Sequence, residues 1–164
     1  MALTQIIGDG LATSGLPTGT VLQVVSGGRT TQTTHNSNTF TDVGVSVDIT
    51  PTSTSSKVLV IVTGTLSNSL AGNQSSLLLL RGSTSIGVGT GASNVNAFMS
   101  IIGEDDNYIL FPFGQQVLDS PSTTSSITYK IQMNAINGVA KLGGRGDSTE
   151  TGVPTVITAM EIQG

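Results

Sequence analysis

The stretch ITYKIQMNA (Ile127–Ala135) sets Ile127, Tyr129, Ile131 and Met133 in strict alternation with Thr128, Lys130, Gln132 and Asn134. Side chains of an extended chain point alternately to the two faces of a sheet, so this period of two predicts an antiparallel strand well inside a sheet, one face dry and the other wet. Phe40 to Ile49 repeats the pattern, with Val43, Val45, Val47 and Ile49 opposing Gly44, Ser46 and Asp48. KVLVIVTGTL (Lys57–Leu66) differs, because Val58, Val60 and Val62 oppose Leu59 and Ile61, and both faces are apolar. Leu77 to Leu80 behaves the same way. Antiparallel sheets usually keep one face in water, so such strands call for a second cover.

Outward from these segments, strands are predicted at Thr20–Val25, Thr84–Gly89, Ala97–Ile102, Tyr108–Pro112, Gln115–Leu118, Val139–Leu142 and Pro154–Ile162. Turn signals rich in Gly, Ser, Thr and Pro separate them at the spacing of a sandwich. The polar stretch Ser26 to Asn38 reads as a loop. About ten strands without helical crossovers give an all-β fold, a two-sheet antiparallel β-sandwich of the jelly-roll kind. Met1 to Thr18 reads as a separate N-terminal arm, apolar at Leu3, Ile6, Ile7 and Leu11 and broken by Gly8, Gly10 and Gly15, and residues 19–164 form the sandwich domain.

Composition narrows the function classes. The 164 residues suit one domain, charged residues make up 10%, net charge is −4, and the six Lys and Arg are scattered singly. No basic stripe exists to neutralise phosphates, so nucleic acid is not an expected ligand. No cysteine is present, which removes disulfides, thiolate metal sites and Cys nucleophiles and fits folding in a reducing cytoplasm. The longest apolar runs are far shorter than the roughly 20 residues that span a bilayer, and the N-terminus lacks the basic and apolar regions of a secretion signal. No membrane partner is expected.

Chemistry-bearing residues are few. His35, the single histidine, could pair with a serine and Asp42 as a triad, yet it lies in the polar TTHNSN segment with no nucleophile elbow and reads as a solvated loop residue. Glu104, Asp105 and Asp106 could offer oxygen ligands to Ca²⁺, but no calcium-loop spacing surrounds them, and a solvated hairpin turn is the plainer reading. Asp105 with Asp119 could serve glycoside cleavage, although a chain with no Trp and two Tyr lacks sugar platforms. Arg145, Gly146 and Asp147 spell RGD in a glycine-flanked segment, read as a mobile loop tip, and GVGTGAS (Gly87–Ser93) lacks the Lys and helix of a phosphate loop. The expectation is a protein that is not an enzyme and holds no cofactor or metal.

Mean hydropathy of +0.20 with so few charges leaves the surface too apolar for a typical solitary domain. Hiding several hundred Å² of apolar surface at roughly 25 cal/mol per Å² is worth on the order of 10 kcal/mol before ordering costs. Self-association under closed symmetry is the expectation, and periodicity does not distinguish two copies from three.

The segments ALTQIIGDGL, GLPTGTVLQVVS, DITPTSTSSKVLVIVTG, LLRGSTSIG, VLDSPSTTSSITYKIQ and TVITAMEI resemble modules of tailed phages of marine and freshwater bacteria, cyanophages especially. Such modules occur at the distal ends of tail fibres or spikes and as small capsid surface proteins. The resemblance covers nearly the whole chain and implies a tumour-necrosis-factor-like or complement-head-like jelly roll assembled as a homotrimer. It further implies that Tyr108, Phe111, Phe113, Tyr129 and Met160 line or support the trimer axis, unless they fill the subunit's own core.

Two functions follow from that likeness. One is a capsid decoration or cement trimer on the virion surface, made in the host bacterial cytoplasm, with the arm residues attaching to the major capsid protein. The chain has no shaft repeat or coiled-coil heptad, which favours this reading. The other is a receptor-binding tip or short tail fibre, its arm plugged into a tail adaptor and loops such as Gly27–Asn38 and Leu142–Gly152 touching host surface glycans.

Overall fold

The computed structural model describes residues 16–90, 96–103, 109–146 and 152–164, and the arm residues Leu3, Ile6, Ile7 and Leu11 lie outside them. Eleven strands are present among the described residues, and no helix. They are β1 (Val21–Arg29), β2 (Thr33–His35), β3 (Thr41–Ile49), β4 (Lys57–Asn68), β5 (Gln74–Arg81), β6 (Thr84–Ile86), β7 (Met99–Ile102), β8 (Phe111–Asp119), β9 (Ile127–Ile136), β10 (Ala140–Leu142) and β11 (Thr155–Ile162).

Every pairing is antiparallel, in two sheets. The first runs β1-β11-β4-β8, with β10 and then β2 continuing from the far end of β4. The second runs β3-β9-β5, with β6 and β7 sharing the outer border of β5. The chain crosses between sheets after β2, β3, β4, β7, β8 and β9, which places the first long strand beside the last and winds the sandwich as a jelly roll.

The core is set by alternation. Val43, Val45, Val47 and Ile49 of β3 are buried while Gly44, Ser46 and Asp48 are exposed. Tyr129, Ile131 and Met133 of β9 meet Val58, Val60 and Val62 of β4, Leu77 and Leu79 of β5, and Ile157 and Ala159 of β11 in one apolar cluster. Each such aliphatic side chain contributes about 1.5–3 kcal/mol by leaving water. Asn68, 4% exposed, pins the β4–β5 turn, its Nδ2 donating to Ser75 Oγ at 3.1 Å while Leu70 N donates to its Oδ1 at 2.9 Å.

Three expectations need correction. The stretch after Val25 is strand, not loop, as far as Arg29, and β2 follows within it. Gly27 is there because β1 runs hard against β3: a Cβ at Gly27 would sit 2.1 Å from the Ser46 carbonyl oxygen. Close approach, rather than a turn, explains that glycine. The expected break between Pro112 and Gln115 is not there, since β8 runs unbroken from Phe111 to Asp119, and Pro112 is tolerated because β8 borders its sheet among the described residues. Third, the segment before Asp147 is no mobile tip: Gly143, Gly144 and Gly146 are buried, and the Gly144 carbonyl accepts from Ser67 Oγ at 2.7 Å.

Candidate subunit interface and flanking groove

The two outer faces of the sandwich differ in chemistry. On the second sheet, β3 and β9 present Asp42, Ser46, Asp48, Thr128, Lys130 and Gln132. Lys130 Nζ lies 2.8 Å from Asp42 Oδ2 and Gln132 Nε2 donates to Asp42 Oδ1 at 2.8 Å, and these two bonds hold the Asp42 carboxyl below the usual carboxylate range. Thr128 donates to Asp48. This is a face built for water. Its apolar exceptions include Leu78, half-buried, and Leu80, only 6% exposed, on β5, and Ile102, 63% exposed, at the end of β7.

On the first sheet the register assembles an apolar row across four strands. Val24 of β1 stands beside Met160 of β11, Met160 beside Leu59 of β4, and Leu59 beside Leu118 of β8. Val21 pairs with Ile162 at one end, and Ile61 follows Leu59 two residues on. Val24 is 55% exposed, Leu118 53% and Val21 49%, whereas Leu59, Ile61 and Met160 are half-buried. Among outward side chains of β1, β11, β4 and β8, Lys57 at the end of β4 is the one charge. Contiguous apolar surface of this kind marks an interaction site more than scattered leucines do.

Beside this face, between β8 and β7, lies an open groove of about 710 Å³ whose lining includes Thr90, Met99, Ser100, Pro112, Phe113 and Gln115. A second hollow of about 470 Å³, lined by Gln74, Ser100, Ile101, Ile102 and Phe111, shares Ser100 with it. Among the described residues, neither lining carries a charge. Gln74 Nε2 donates to Ser100 Oγ at 2.7 Å and to Ser76 Oγ at 3.1 Å, which fixes the hydroxyls on this side.

At the end of β8 a polar cluster ties the sheets together. Arg81 Nη1 lies 2.9 Å from both carboxylate oxygens of Asp119, and the Tyr129 hydroxyl donates to Asp119 Oδ2 at 2.7 Å. Burial first, and then the neighbouring carboxylate, push the Tyr129 phenol far above its ordinary value. Near the opposite border, fully buried Glu161 accepts from Gln23 Nε2 at 2.6 Å, Thr52 N at 2.7 Å and Thr52 Oγ1 at 2.8 Å. Burial raises the Glu161 carboxyl, but these donors outweigh it and the net shift is downward.

The residues expected at a trimer axis are dispersed. Tyr108 lies outside the described residues. Tyr129 is fully buried in the subunit's own core, where it holds Asp119 and presents nothing to a neighbour. Phe111 and Phe113 pack against the core while half-exposed to the groove, and Met160 sits in the middle of the apolar row. Val24 and Leu118, which complete that row, went unnoticed because each looks ordinary until the register sets them side by side.

The other candidates do not assemble into chemistry. His35 lies on β2, not in a loop, and its Nε2 is 2.9 Å from the Thr39 carbonyl, while Asp42 is engaged by Lys130 and Gln132. Glu104, Asp105, Asp106 and Asp147 lie outside the described residues, among which no group of three metal-ligating side chains occurs. Asp119 is committed to Arg81 and Tyr129.

No family model matches the chain, and no curated protein matches it in sequence. Solved structures with a similar arrangement include the VP2 subviral particle of infectious bursal disease virus, at 9% identity and a TM-score of 0.45 over 86% of this chain. A mutant VP2 of the same virus, in derived T=1 particles, is similar at 15% identity and a TM-score of 0.41 over 85%. The chain spans 38% and 36% of the lengths of those two proteins.

Proposed function

We propose that this chain is a non-enzymatic structural protein of a virus particle, a homotrimeric decoration that reinforces the outer capsid surface of a tailed bacteriophage. The observation that supports it is the contrast between the outer faces: one carries paired charges and hydroxyls, and the other an apolar row with a single peripheral lysine. A domain whose work was done alone in water would have no use for the second face. Copies of the chain cover it, and the arm residues Leu3, Ile6, Ile7 and Leu11 attach the trimer to the major capsid protein. The polar β3–β9 face then points to the medium.

Copy number on purified particles tests the placement. Scores of copies or more per particle are expected, whereas a handful confined to the tail would transfer the protein to a fibre. Removing residues 1–17 is expected to leave a folded oligomer that no longer decorates particles, and decoration by the truncated chain would overturn the role of the arm. A second reading, a receptor-binding tip contacting host glycans, draws support from the groove, where Phe113 lies beside Ser100 and Gln115. Retention of the purified protein on host surface polysaccharide, lost in Phe113→Ala, is the outcome that would favour it.

A further inference from the structure

Two apolar surfaces of this chain need cover before any partner arrives. One is the outer row of the first sheet, where Val24 and Leu118 are more than half exposed. The other is the arm, apolar at Leu3, Ile6, Ile7 and Leu11. We propose that in the free chain the arm lies across the apolar row of its own first sheet, and that it leaves only when copies assemble there. The release rests on the homotrimer reading, in which copies close over the same row.

Reach is the first argument. The chain enters β1 at the pole where Val21 stands beside Ile162, and Gly19 N, donating to Gln163 O at 2.8 Å, fixes the backbone just ahead of β1 there. Residues 1–15, which lie outside those described, span up to about 50 Å when extended, whereas β1 and β8 are only about 14 Å apart across the face.

Area is the second. Four strands about 4.8 Å apart and seven residues at about 3.3 Å each give a face of about 19 by 23 Å, on the order of 400 Å² in projection. That is about half of the roughly 800 Å² that each of two separate proteins contributes to a standard interface. A tethered segment manages with less, because a short linker keeps it at an effective concentration in the millimolar range.

Charge is the third. Asp9, between Ile7 and Leu11, is the one charged side chain of residues 1–15. Lys57, paired with Ile162 at the pole where the arm departs, is the one charge among the outward side chains of the face. Opposite charges at the margin of an apolar contact fix its register. The polar β3–β9 face offers the arm no such match, since Lys130 is already bonded to Asp42.

An arm seated on the row cannot hold the capsid at the same time, because the same four side chains serve both. Assembly of copies over the row therefore frees the arm, and only assembled chains attach.

Since the chain has no cysteine, introduced thiols report the seat. Gln5→Cys marks the arm, Thr158→Cys the row two residues from Met160, and Ser46→Cys the opposite face, and a short bismaleimide joins thiols that lie close. In dilute solution the arm-to-row pair is expected to link within one chain on the order of tenfold faster than the arm-to-opposite-face pair. Adding Asp9→Lys should slow that link, and Lys57→Asp added to it should restore the rate. Equal rates for the two pairs would show an arm without a seat and overturn the proposal, as would links that join two chains or no link at all. Removing residues 1–15 should let copies assemble at lower protein concentration than the intact chain requires, and an unchanged concentration would overturn the release. A truncated chain that stays single at every concentration would instead refute the homotrimer reading and leave the seat of the arm standing.

Discussion

Asp119→Ala is the most demanding test of how the two sheets are held together. The carboxylate receives the Arg81 guanidinium at 2.9 Å and the Tyr129 hydroxyl at 2.7 Å, with side-chain exposures of 11% for Asp119 and 28% for Arg81 and a fully buried Tyr129. Truncation leaves a cation and a phenol hydroxyl without their acceptor. Breaking a buried pair by deleting one partner costs about 3–5 kcal/mol. Water reaches Arg81, which lowers that to about 2–3 kcal/mol, and the orphaned hydroxyl adds about 1 kcal/mol, for a total of about 3–4 kcal/mol. Tyr129→Phe removes the hydroxyl alone and should cost about 1–2 kcal/mol. Urea unfolding of both variants and the double variant, at one fixed protein concentration because association shifts apparent stability, gives the three values. The single costs should exceed their combined cost by about 1 kcal/mol, since the side chains share one bond. A loss below about 0.5 kcal/mol for Asp119→Ala would show that the cluster contributes nothing to cohesion and refute the reasoning.

Three further substitutions probe other elements. Gly27→Ala should destabilise by about 2 kcal/mol or more, because its Cβ meets backbone oxygen 2.1 Å away, and a thermal midpoint equal to the parent's would contradict the close β1–β3 approach. Ile131→Ala, at the centre of β9, should cost about 2–5 kcal/mol in the same unfolding assay, the range for emptying a fully buried aliphatic site. For Glu161, whose folded carboxyl is held below its ordinary value, the stability it adds is complete above about pH 4.3 and fades as pH falls toward the lower folded value. The stability gap between the parent and Glu161→Gln should therefore narrow on acidification, and a gap that stayed constant or widened would exclude that carboxylate as the source.

Much of the sandwich was legible because burial on one side leaves a two-residue rhythm. β3 read correctly residue by residue, and so did the inward side of β9 and the inward valines of β4, whereas Asn134, at a polar alternate position of β9, is buried. What failed was interpretation of Gly and Pro. Gly27 falls in a stretch that reads as a loop and is a point of contact between strands, and Pro112 with Gly114 looks like a break inside what is one strand. Pairing across the chain was out of reach. Arg81, Asp119 and Tyr129 come from three strands, and nothing local in LLRGS, VLDSP or ITYKI signals that they meet. The apolar face was half legible: Leu59 and Ile61 announced a second greasy side to β4, but its continuation through Met160, Val24 and Leu118 depends on register, which no single segment encodes.

The neighbouring placement of β1 and β11 also has a mechanical side. Val21 lies beside Ile162, and the backbone exchanges Gly19 N to Gln163 O and Gln163 N to Thr20 O, each at 2.8 Å, so the leading and trailing segments depart from one pole. Tension applied between those departures would open the ladder one rung at a time, as a zip fastener opens, instead of straining all its rungs together. Pulling on the two ends of a single chain should therefore peel β1 away at low force, whereas pulling across the sheet through Arg29 and the trailing end should meet a higher barrier.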